Sequence, residues 1–385
     1  MKILILNEAK RALLTSHTEK RCAASPNTVA KLTRKGIDVF IEQDAGALSL
    51  YEDKEFEAAG AHVVDTIEPI ISQINILLCV NSPNEELILR LANNAIVIGH
   101  IDPFFQKSLV TKLCQNGITT VSVEMIPRTS RAQKMDALSS QASLAGYVMV
   151  MKAVANLPSI LPMMMTPSGT IKPAKIFIIG AGVAGLQAIA TAKRLGASVL
   201  AYDTRPVVAE QVESLGAKFL KIDIGDTGET KDGYAKELTE QQKNKLEAAQ
   251  QKAIADSDIV ITTAQLFGRK PPLLIKSSTL EKMRLGSVVV DMAAQSGGNV
   301  EGSKAGETIK INGITLIGNG NWSQDVARDA TDMYANNIFN LLDEFIDADT
   351  GNFLLDLEDD ILANCVITHN GAITNDMLTE AYKGA

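Results

Sequence analysis

The sequence predicts an α/β protein of two domains with mostly parallel sheets, the first domain being discontinuous. Three observations lead to this prediction. The 385 residues are enough for two hydrophobic cores. Short strand-like segments alternate with helix-like segments, as parallel crossover connections require. A second series of such segments begins near Ala174 and separates the middle of the chain from its two ends. The expected domains are 1–140 plus 326–385, and 141–325.

The first third of the chain supplies most of the first predicted sheet. Pro26–Lys35 has the pattern of a helix, with Ser25 as its N-cap and Gly36 just beyond its end. From about Asp325 the chain is helical again, and it ends with a strand-like "CVITHNGAI" that is expected to rejoin this domain. The strand-like segments of the first third are Lys2–Leu6, Asp38–Glu42, Ile74–Val80, Ala95–Gly99 and Thr119–Ser122.

The middle region opens with a βαβ unit of about thirty residues. Ala174–Ile179 predicts a strand, "GAGVAGLQAIATAKRLGA" predicts a turn and a helix as far as Leu195, and "SVLAYD" predicts the second strand. Asn312–Gly313 is typical of a hairpin turn. Further strands are expected at Asp258–Thr262, Ser287–Asp291 and Thr315–Ile317.

The composition excludes several classes of protein. Apolar residues make up 46% and charged residues 21%, which argues against a disordered or fibrous chain. The net charge of −8 argues against general nucleic-acid binding. The four cysteines form no CxxC pair and the four histidines have no metal-ligand spacing, so we expect no metal site and free thiols in a reducing compartment. Leu144–Met165 is interrupted by two prolines and a lysine, and therefore predicts a buried amphipathic helix ending before Pro158 rather than a membrane span.

The motif GxGxxG begins the helix of the βαβ unit. Gly180 allows the tight turn, Gly182 allows a pyrophosphate to approach the backbone, and Gly185 allows the helix to pack closely on the strand. Asp203, at the end of the next strand, is placed to accept hydrogen bonds from the adenosine ribose and to repel a 2′-phosphate. This favours NAD over NADP, although Arg205 lies where an arginine can meet a phosphate. The alternative is a glycine-rich turn that binds no nucleotide.

Three other places are candidates for chemistry. His100, after a strand, is either a general acid or base or a hydrogen-bonded histidine at a strand end. The loop "DMAAQSGGNVEG", from Asp291, either passes near a nicotinamide or is an ordinary strand-end turn. Tyr234 lies in the long polar stretch Asp223–Gln251, where a tyrosine either closes over a nucleotide or is a surface ring.

The segment "RTSRAQKMDALSSQASLAGY", from Arg128 to Tyr147, is polar at first and then small and apolar. Its apolar residues recur at steps of three and four, which predicts an inward-facing helical stripe. The members of this stripe are Met135, Leu138, Ala142 and Ala145.

This segment, together with "GAGVAGLQAIATAKRLGA", "YDTRP", "EQVESLGAKF", "DGYAKE" and "GSVVVDMAAQSGGNVEG", resembles the NAD(H)-binding component of proton-translocating nicotinamide nucleotide transhydrogenase, in the alanine dehydrogenase/transhydrogenase family. The resemblance covers nearly the whole chain. It implies two Rossmann-like domains separated by a cleft, a homodimer, and hydride transfer between NAD(H) here and NADP(H) on a partner. It also implies partner subunits that span the membrane, and a cytoplasmic location at its inner face. The length suits the family's split-subunit arrangement.

The resemblance also implies the residues of the cofactor site, and no acid–base catalyst. The nicotinamide-side positions are Arg128, Gln133, Asp136 and Ser139. The other cofactor-binding positions are Gly180, Gly182, Val183, Gly185, Asp203, Thr204, Arg205, Gly233, Tyr234 and Ala264.

The chain departs from the family pattern at three places, and two other functions stay open. The N-terminal signature is loosened, "AQLFGRKPP" has Phe267 where proline is common, and Asp325 stands where arginine is usual.

One alternative is an alanine dehydrogenase, which shares the fold and for which His100 is suitably placed. Cys79 lies where that family's lysine is expected. The other alternative is a non-catalytic NAD-binding regulatory subunit.

Overall fold

The structure is a computed structural model that describes residues 1–11, 18–222, 239–347 and 349–383. The chain divides into two compact units. Unit 1 contains residues 1–141 and 323–385, and unit 2 contains residues 142–322. Each unit has its own sheet, and the predicted α/β class with parallel-dominated sheets is confirmed.

The strands follow one another along the chain at positions that mostly match the predicted ones. In order they are β1 (Lys2–Ile5), β2 (Asp38–Glu42), β3 (His62–Val64), β4 (Ile76–Asn81), β5 (Ile96–His100), β6 (Thr119–Ser122), β7 (Met164–Thr166), β8 (Gly169–Ile171), β9 (Lys175–Ile179), β10 (Ser198–Tyr202), β11 (Lys218–Phe219), β12 (Ile259–Thr262), β13 (Val288–Asp291), β14 (Glu307–Ile311), β15 (Ile314–Gly318), β16 (Val366–His369) and β17 (Ala372–Ile373).

The helices alternate with the strands in both units. In order they are α1 (Pro26–Arg34), α2 (Asp53–Ala58), α3 (Glu85–Ile88), α4 (Lys107–Gln115), α5 (Ala137–Asn156), α6 (Val183–Arg194), α7 (Ala209–Ser214), α8 (Glu240–Ala255), α9 (Ser277–Leu280), α10 (Ala327–Phe345), α11 (Asp360–Cys365) and α12 (Asp376–Lys383). No helix within these described ranges combines the length and the apolarity that a bilayer span needs.

The sheet of unit 1 has the strand order β17-β16-β6-β5-β4-β1-β2-β3. The six strands from β6 to β3 are parallel, and the C-terminal β16 and β17 add an antiparallel edge. The central strands are apolar on both faces, as buried parallel strands are expected to be. Helix α10 packs its Tyr334 and Leu341 into the same core, which ties the C-terminal region of the chain to the N-terminal region.

The sheet of unit 2 has the strand order β11-β10-β9-β12-β13-β15-β14. All neighbours are parallel except the hairpin β14–β15, which turns at Asn312–Gly313 with positive φ at both residues. The chain runs outward from β9 to β11 and then resumes on the other side of β9 with β12. Ligands of such sheets bind at the carboxyl ends of the strands at this reversal.

The predicted stripe in the Arg128–Tyr147 segment is partly wrong. Met135 and Ala145 are buried, but Leu138 and Ala142 are only half-buried. Met135 lies in a 3₁₀ turn (Gln133–Met135), and α5 begins only at Ala137. The helical stripe therefore starts two residues later than predicted. It consists of Ala137, Gln141, Ala145, Val148 and Met149, all of them buried.

Candidate dinucleotide site

The turn after β9 requires glycine at two positions. Gly180 has φ of +102°, and a Cβ there would lie 2.4 Å from Thr263 Oγ1. A Cβ on Gly185 would lie 1.9 Å from the carbonyl oxygen of Gly180. Strand, turn and α6 therefore approach one another as closely as backbones can, which is the role the motif assigns to its first and third glycines.

Gly182 has a different environment. It is the N-cap of α6 and has an extended conformation, with φ of −79°. A Cβ there would meet no atom of the protein within 4 Å. The open space lies at the positive end of a twelve-residue helix, where unpaired N–H groups attract phosphate. This space and these donors fit the pyrophosphate of a dinucleotide. Val183, the first residue of α6, is 43% exposed beside it.

Asp203 follows β10 and faces the glycine turn. Its Oδ2 accepts a hydrogen bond from the Ala181 N–H at 2.8 Å. The Arg205 guanidinium donates to both oxygens, at 3.0 Å each, and the Arg205 backbone N–H donates to Oδ1 at 2.9 Å. Burial alone would raise the pKa of Asp203, but the hydrogen bonds from Arg205 and Ala181 outweigh it and lower that pKa. The carboxylate is therefore ionised and held against the turn. Thr204, which lies between Asp203 and Arg205 in the chain, is exposed.

The ends of β12 and β13 complete this side of the sheet. Thr263 Oγ1 donates to the carbonyl oxygens of Ile179 and Gly180, at 3.3 and 3.2 Å. The side chain of Asn299, fully buried, donates to the carbonyls of Ala264 and Pro272, at 2.9 and 2.8 Å. The sequence predicts Ala264 as a site residue, but not Thr263 or Asn299. Thr263 directly follows a predicted strand, where such sheets bind ligands, and Asn299 lies in the loop "DMAAQSGGNVEG" that follows another. These positions were the available signal.

The loop after β13 is organised by Asp291. This buried carboxylate accepts hydrogen bonds from the N–H groups of Ala293, Asn299 and Val300. Gly297 and Gly298 have φ of +116° and +80°, and a Cβ on Gly298 would lie 2.8 Å from Asp291 Oδ2. The glycines of "DMAAQSGGNVEG" thus close a turn around the carboxylate.

The four predicted nicotinamide-side residues all lie in unit 1, and two of them are bonded to each other. Asp136 caps α5, because its carboxylate accepts from the Ser139 N–H at 2.9 Å and from the Ser139 hydroxyl at 2.5 Å. Arg128 and Gln133 are exposed. Among the residues that the structure describes, neither of their side chains has a hydrogen-bond or ion-pair partner. The structure brings Asp136 and Ser139 together, and it leaves Arg128 and Gln133 available to a ligand. Gly233 and Tyr234 lie outside the described residues.

His100 ends β5 and has two close neighbours. Its Nδ1 lies 3.6 Å from Glu124 Oε1, and its ring stacks on Tyr334 at 5.3 Å between centroids. Burial alone would raise the pKa of Glu124, but the hydrogen bond from His100 helps to lower it. The ring of His100 is therefore held between a carboxylate and an aromatic ring at the end of β5.

A buried ion pair in unit 1 was not found from the sequence. Arg21 binds both oxygens of Glu19, with Nε and Nη2 each 2.8 Å from an oxygen. The remaining nitrogen, Nη1, donates to Gln141 Oε1 at 2.9 Å and Ser323 Oγ at 3.2 Å. Every nitrogen of the guanidinium is therefore used within the unit. The two residues are close in sequence, but nothing in "TEKRC" shows that they are buried.

The chain is similar to known proteins along most of its length. The family descriptions "Alanine dehydrogenase/PNT, N-terminal domain" and "Alanine dehydrogenase/PNT, C-terminal domain" match residues 14–145 and 149–376. The first part of NAD(P) transhydrogenase subunit alpha from Rhodospirillum rubrum is 39% identical, over 98% of this chain and 99% of the relative. The protein of the same name from Rickettsia prowazekii is 38% identical, over 100% and 98%. The crystal structure of transhydrogenase from Sinorhizobium meliloti is 39% identical, has a TM-score of 0.85, and aligns over 97% of this chain and 100% of that one.

These matches identify the cofactor as NAD(H) and place the chain among oxidoreductases. The two family descriptions together span most of the sequence, and the relatives at 38–39% identity align along nearly their whole length. The chain belongs to the alanine dehydrogenase/PNT family.

Proposed function

We propose that this chain is the NAD(H)-binding subunit of a proton-translocating transhydrogenase. It holds NADH while a hydride passes to NADP⁺ on a partner subunit, and it is active only together with that partner. The observation that carries the proposal is the similarity, along the entire chain, to relatives that form the first part of a transhydrogenase alpha subunit.

The adenosine and pyrophosphate half of the cofactor is assigned to the middle domain, 141–325. The open space at Gly182 and the first turn of α6 suit the pyrophosphate. Asp203 suits the ribose, and its negative charge opposes a 2′-phosphate. Further contacts are proposed for Val183, Thr204, Arg205, Ala264 and, on the resemblance alone, Gly233 and Tyr234.

The nicotinamide half is assigned to four residues of the first domain, 1–140 plus 326–385. Arg128 and Gln133 offer donors that are unused within the described regions of the chain. Asp136 and Ser139 offer a fixed carboxylate–hydroxyl pair at the start of α5. When bound, NADH supplies the hydride. The four side chains orient the ring and exclude water, and none of them has to transfer a proton, because the hydride passes directly between two rings.

A homodimer is included in the proposal, and the hairpin β7–β8 is its proposed contact surface. All six residues of the two hairpin strands are exposed. Met163, Met165 and Ile171 are 60%, 72% and 51% exposed. Methionine-rich apolar surface of this kind is typical of protein interfaces.

The membrane-spanning and NADP(H)-binding functions are assigned to partner subunits, which would attach this chain to the cytoplasmic face of the membrane. The exposed loop around Leu266 and Phe267 and the turn at Trp322–Val326 are two of the three places where this chain departs from the family pattern. They are the positions at which docking to partners is expected to differ.

The structure gives little support to alanine dehydrogenase as the alternative. Cys79, at the position of the expected lysine, is fully buried within β4, and its thiol lies 3.5 Å from the Ile98 carbonyl. Arg21, a nearby cation, is already bound to Glu19. Within the described residues, neither of these two positions offers a free positive charge to a substrate carboxylate.

A mixing experiment tests the proposal. The purified chain should transfer hydride from NADH to an NADP analogue only after an NADP-binding partner subunit is added. Reduction of NAD⁺ by alanine with the chain alone would establish the alanine dehydrogenase function instead. Binding of NADH without transfer in either assay would establish a regulatory subunit.

A further inference from the structure

We propose that Arg205 competes with the adenosine ribose of the cofactor for Asp203, and so sets the affinity for the ribose hydroxyls. The proposal rests on the proposed NAD(H) binding at this site. It assigns to Arg205 the role of a specificity-determining residue.

The Asp203 carboxylate has no acceptor position left for a ligand. An ionised carboxylate has about four lone-pair positions. In Asp203 two donors approach Oδ1, the Arg205 backbone N–H at 2.9 Å and its Nε at 3.0 Å. Two more approach Oδ2, the Ala181 N–H at 2.8 Å and Arg205 Nη2 at 3.0 Å. All of the positions are therefore occupied before any ligand arrives.

Only two of these four donors are able to leave. The N–H groups of Ala181 and Arg205 belong to the backbone of the glycine turn and of the segment after β10. The guanidinium is at the end of a side chain that is 58% exposed, whereas the Asp203 side chain is only 8% exposed. A ribose diol that binds Asp203 must therefore replace the guanidinium, and some of its binding free energy is offset by the lost ion pair.

The displaced cation also bears on the choice between cofactors. The guanidinium is anchored two residues from Asp203, so it remains close to the ribose when it leaves the carboxylate. A 2′-phosphate would find a positive charge there that offsets some of the repulsion from Asp203. Arg205 therefore weakens binding of the diol and also weakens the discrimination against NADPH.

A pair of nucleotides isolates the effect on the diol. AMP and 2′-deoxy-AMP carry the same charge and differ by one hydroxyl, so the dissociation constant of 2′-deoxy-AMP divided by that of AMP cancels general electrostatic attraction and measures the contribution of that hydroxyl. In Arg205→Met the carboxylate is free of the guanidinium, and this ratio should rise by about two- to fivefold, the size expected for a lost exposed ion pair. The discrimination of NADH over NADPH should rise as well.

Arg194→Met is the matched control, because Arg194 is an exposed arginine in the last turn of α6. It should leave the nucleotide ratio at the wild-type value. Isothermal titration gives the constants, and thermal melting confirms that both variants are folded. If the wild-type chain binds NADH but the ratio in Arg205→Met is unchanged or lower, the competition is overturned and the proposed function stands. If the wild-type chain binds neither NADH nor AMP, both are overturned.

Discussion

Asp291 accepts the backbone N–H of Asn299 with both carboxylate oxygens, at 3.1 and 3.0 Å. This contact fixes the backbone of Asn299, whose side chain then joins Ala264 to Pro272 at the two ends of one loop. The Asp291 carboxylate thus fixes the loop after β13, and through the side-chain amide of Asn299 it also fixes the loop after β12.

Asn299→Ala should destabilise unit 2 by about 1–3 kcal/mol, because two carbonyls lose their donor. Urea denaturation followed by Trp322 fluorescence measures this, since Trp322 is the only tryptophan and is buried in unit 2. The control is Asn156→Ala, an exposed asparagine that donates to one helix carbonyl. An effect of Asn299→Ala no larger than that of the control would contradict the role given to the amide.

Two substitutions in the glycine turn should separate binding from folding. In Gly182→Ala the new methyl group meets no protein atom, so the free energy of unfolding should change little. The methyl group would occupy the space proposed for the pyrophosphate, so the NADH dissociation constant should rise about tenfold, which corresponds to about 1.4 kcal/mol. In Gly185→Ala the methyl group meets a backbone carbonyl, and unit 2 should lose about 3 kcal/mol of stability. Thermal melting and fluorescence titration distinguish the two. If Gly182→Ala and Gly185→Ala lowered the melting temperature equally and weakened NADH binding equally, the separation of binding from folding would be contradicted.

Asp203→Ala should weaken NADH binding about tenfold or more, since hydrogen bonds to a charged group contribute about 1.5–3 kcal/mol. Binding of NADPH should change less or improve, because the repulsion of the 2′-phosphate is removed. Fluorescence titration with both cofactors measures the two effects. Unchanged affinity for both would remove Asp203 from the site.

Glu8 should make unit 1 less stable as the pH rises. Burial raises the pKa of Glu8 to about 7, against the hydrogen bond from the Val80 N–H. The folded state therefore holds a proton that the unfolded state releases at lower pH, and stability falls as pH rises from about 5 to 8. The neighbouring charges of Glu19 and Arg21 stay constant in this range, because their ion pair lowers the pKa of Glu19 to about 2, against its burial, and raises that of Arg21.

Glu8→Gln should remove this dependence and be more stable than wild type at pH 8 by about 3 kcal/mol, while matching it near pH 5. Calorimetric unfolding at several pH values provides the measurement. Parallel stability curves for the two proteins between pH 5 and 8 would show that Glu8 does not titrate there.

Met165→Asp tests the proposed dimer surface. A charge at this exposed position of the β7–β8 hairpin should not disturb folding, but should shift a dimer towards the monomer in sedimentation velocity experiments. Met377→Asp, a substitution at another exposed methionine in α12, is the control and should leave the dimer intact. A dimer of unchanged stability in Met165→Asp would exclude the hairpin.

The sequence was most informative where local pattern and local structure coincide. The unit β9–α6–β10 was predictable because periodicity, glycine spacing and helix end signals agree within thirty or so residues. The polar hairpin strand β14 was harder to recognise, since Glu307–Ile311 is half exposed and carries two charges.

The remaining features of the site depend on contacts that are distant in sequence. Asn299 binds a carbonyl 35 residues away, and Thr263 binds one 83 residues away. Leu138 was misassigned for a different reason, because the 3₁₀ turn before α5 shifts the helical phase. The spacing of residue types in the sequence shows neither these long-range hydrogen bonds nor the shift in helical phase.

The edges of the two sheets have a consequence for aggregation. Unit 1 ends in the two-residue β17 and the three-residue β3, and unit 2 ends in the two-residue β11 and in β14, which carries Glu307 and Lys310. Short or charged edges offer few free backbone groups to another strand. Neither of these two large sheets therefore lends itself to being extended by a second molecule at its edges, which leaves the exposed two-stranded hairpin β7–β8 as the β-structure open to another copy within the described residues.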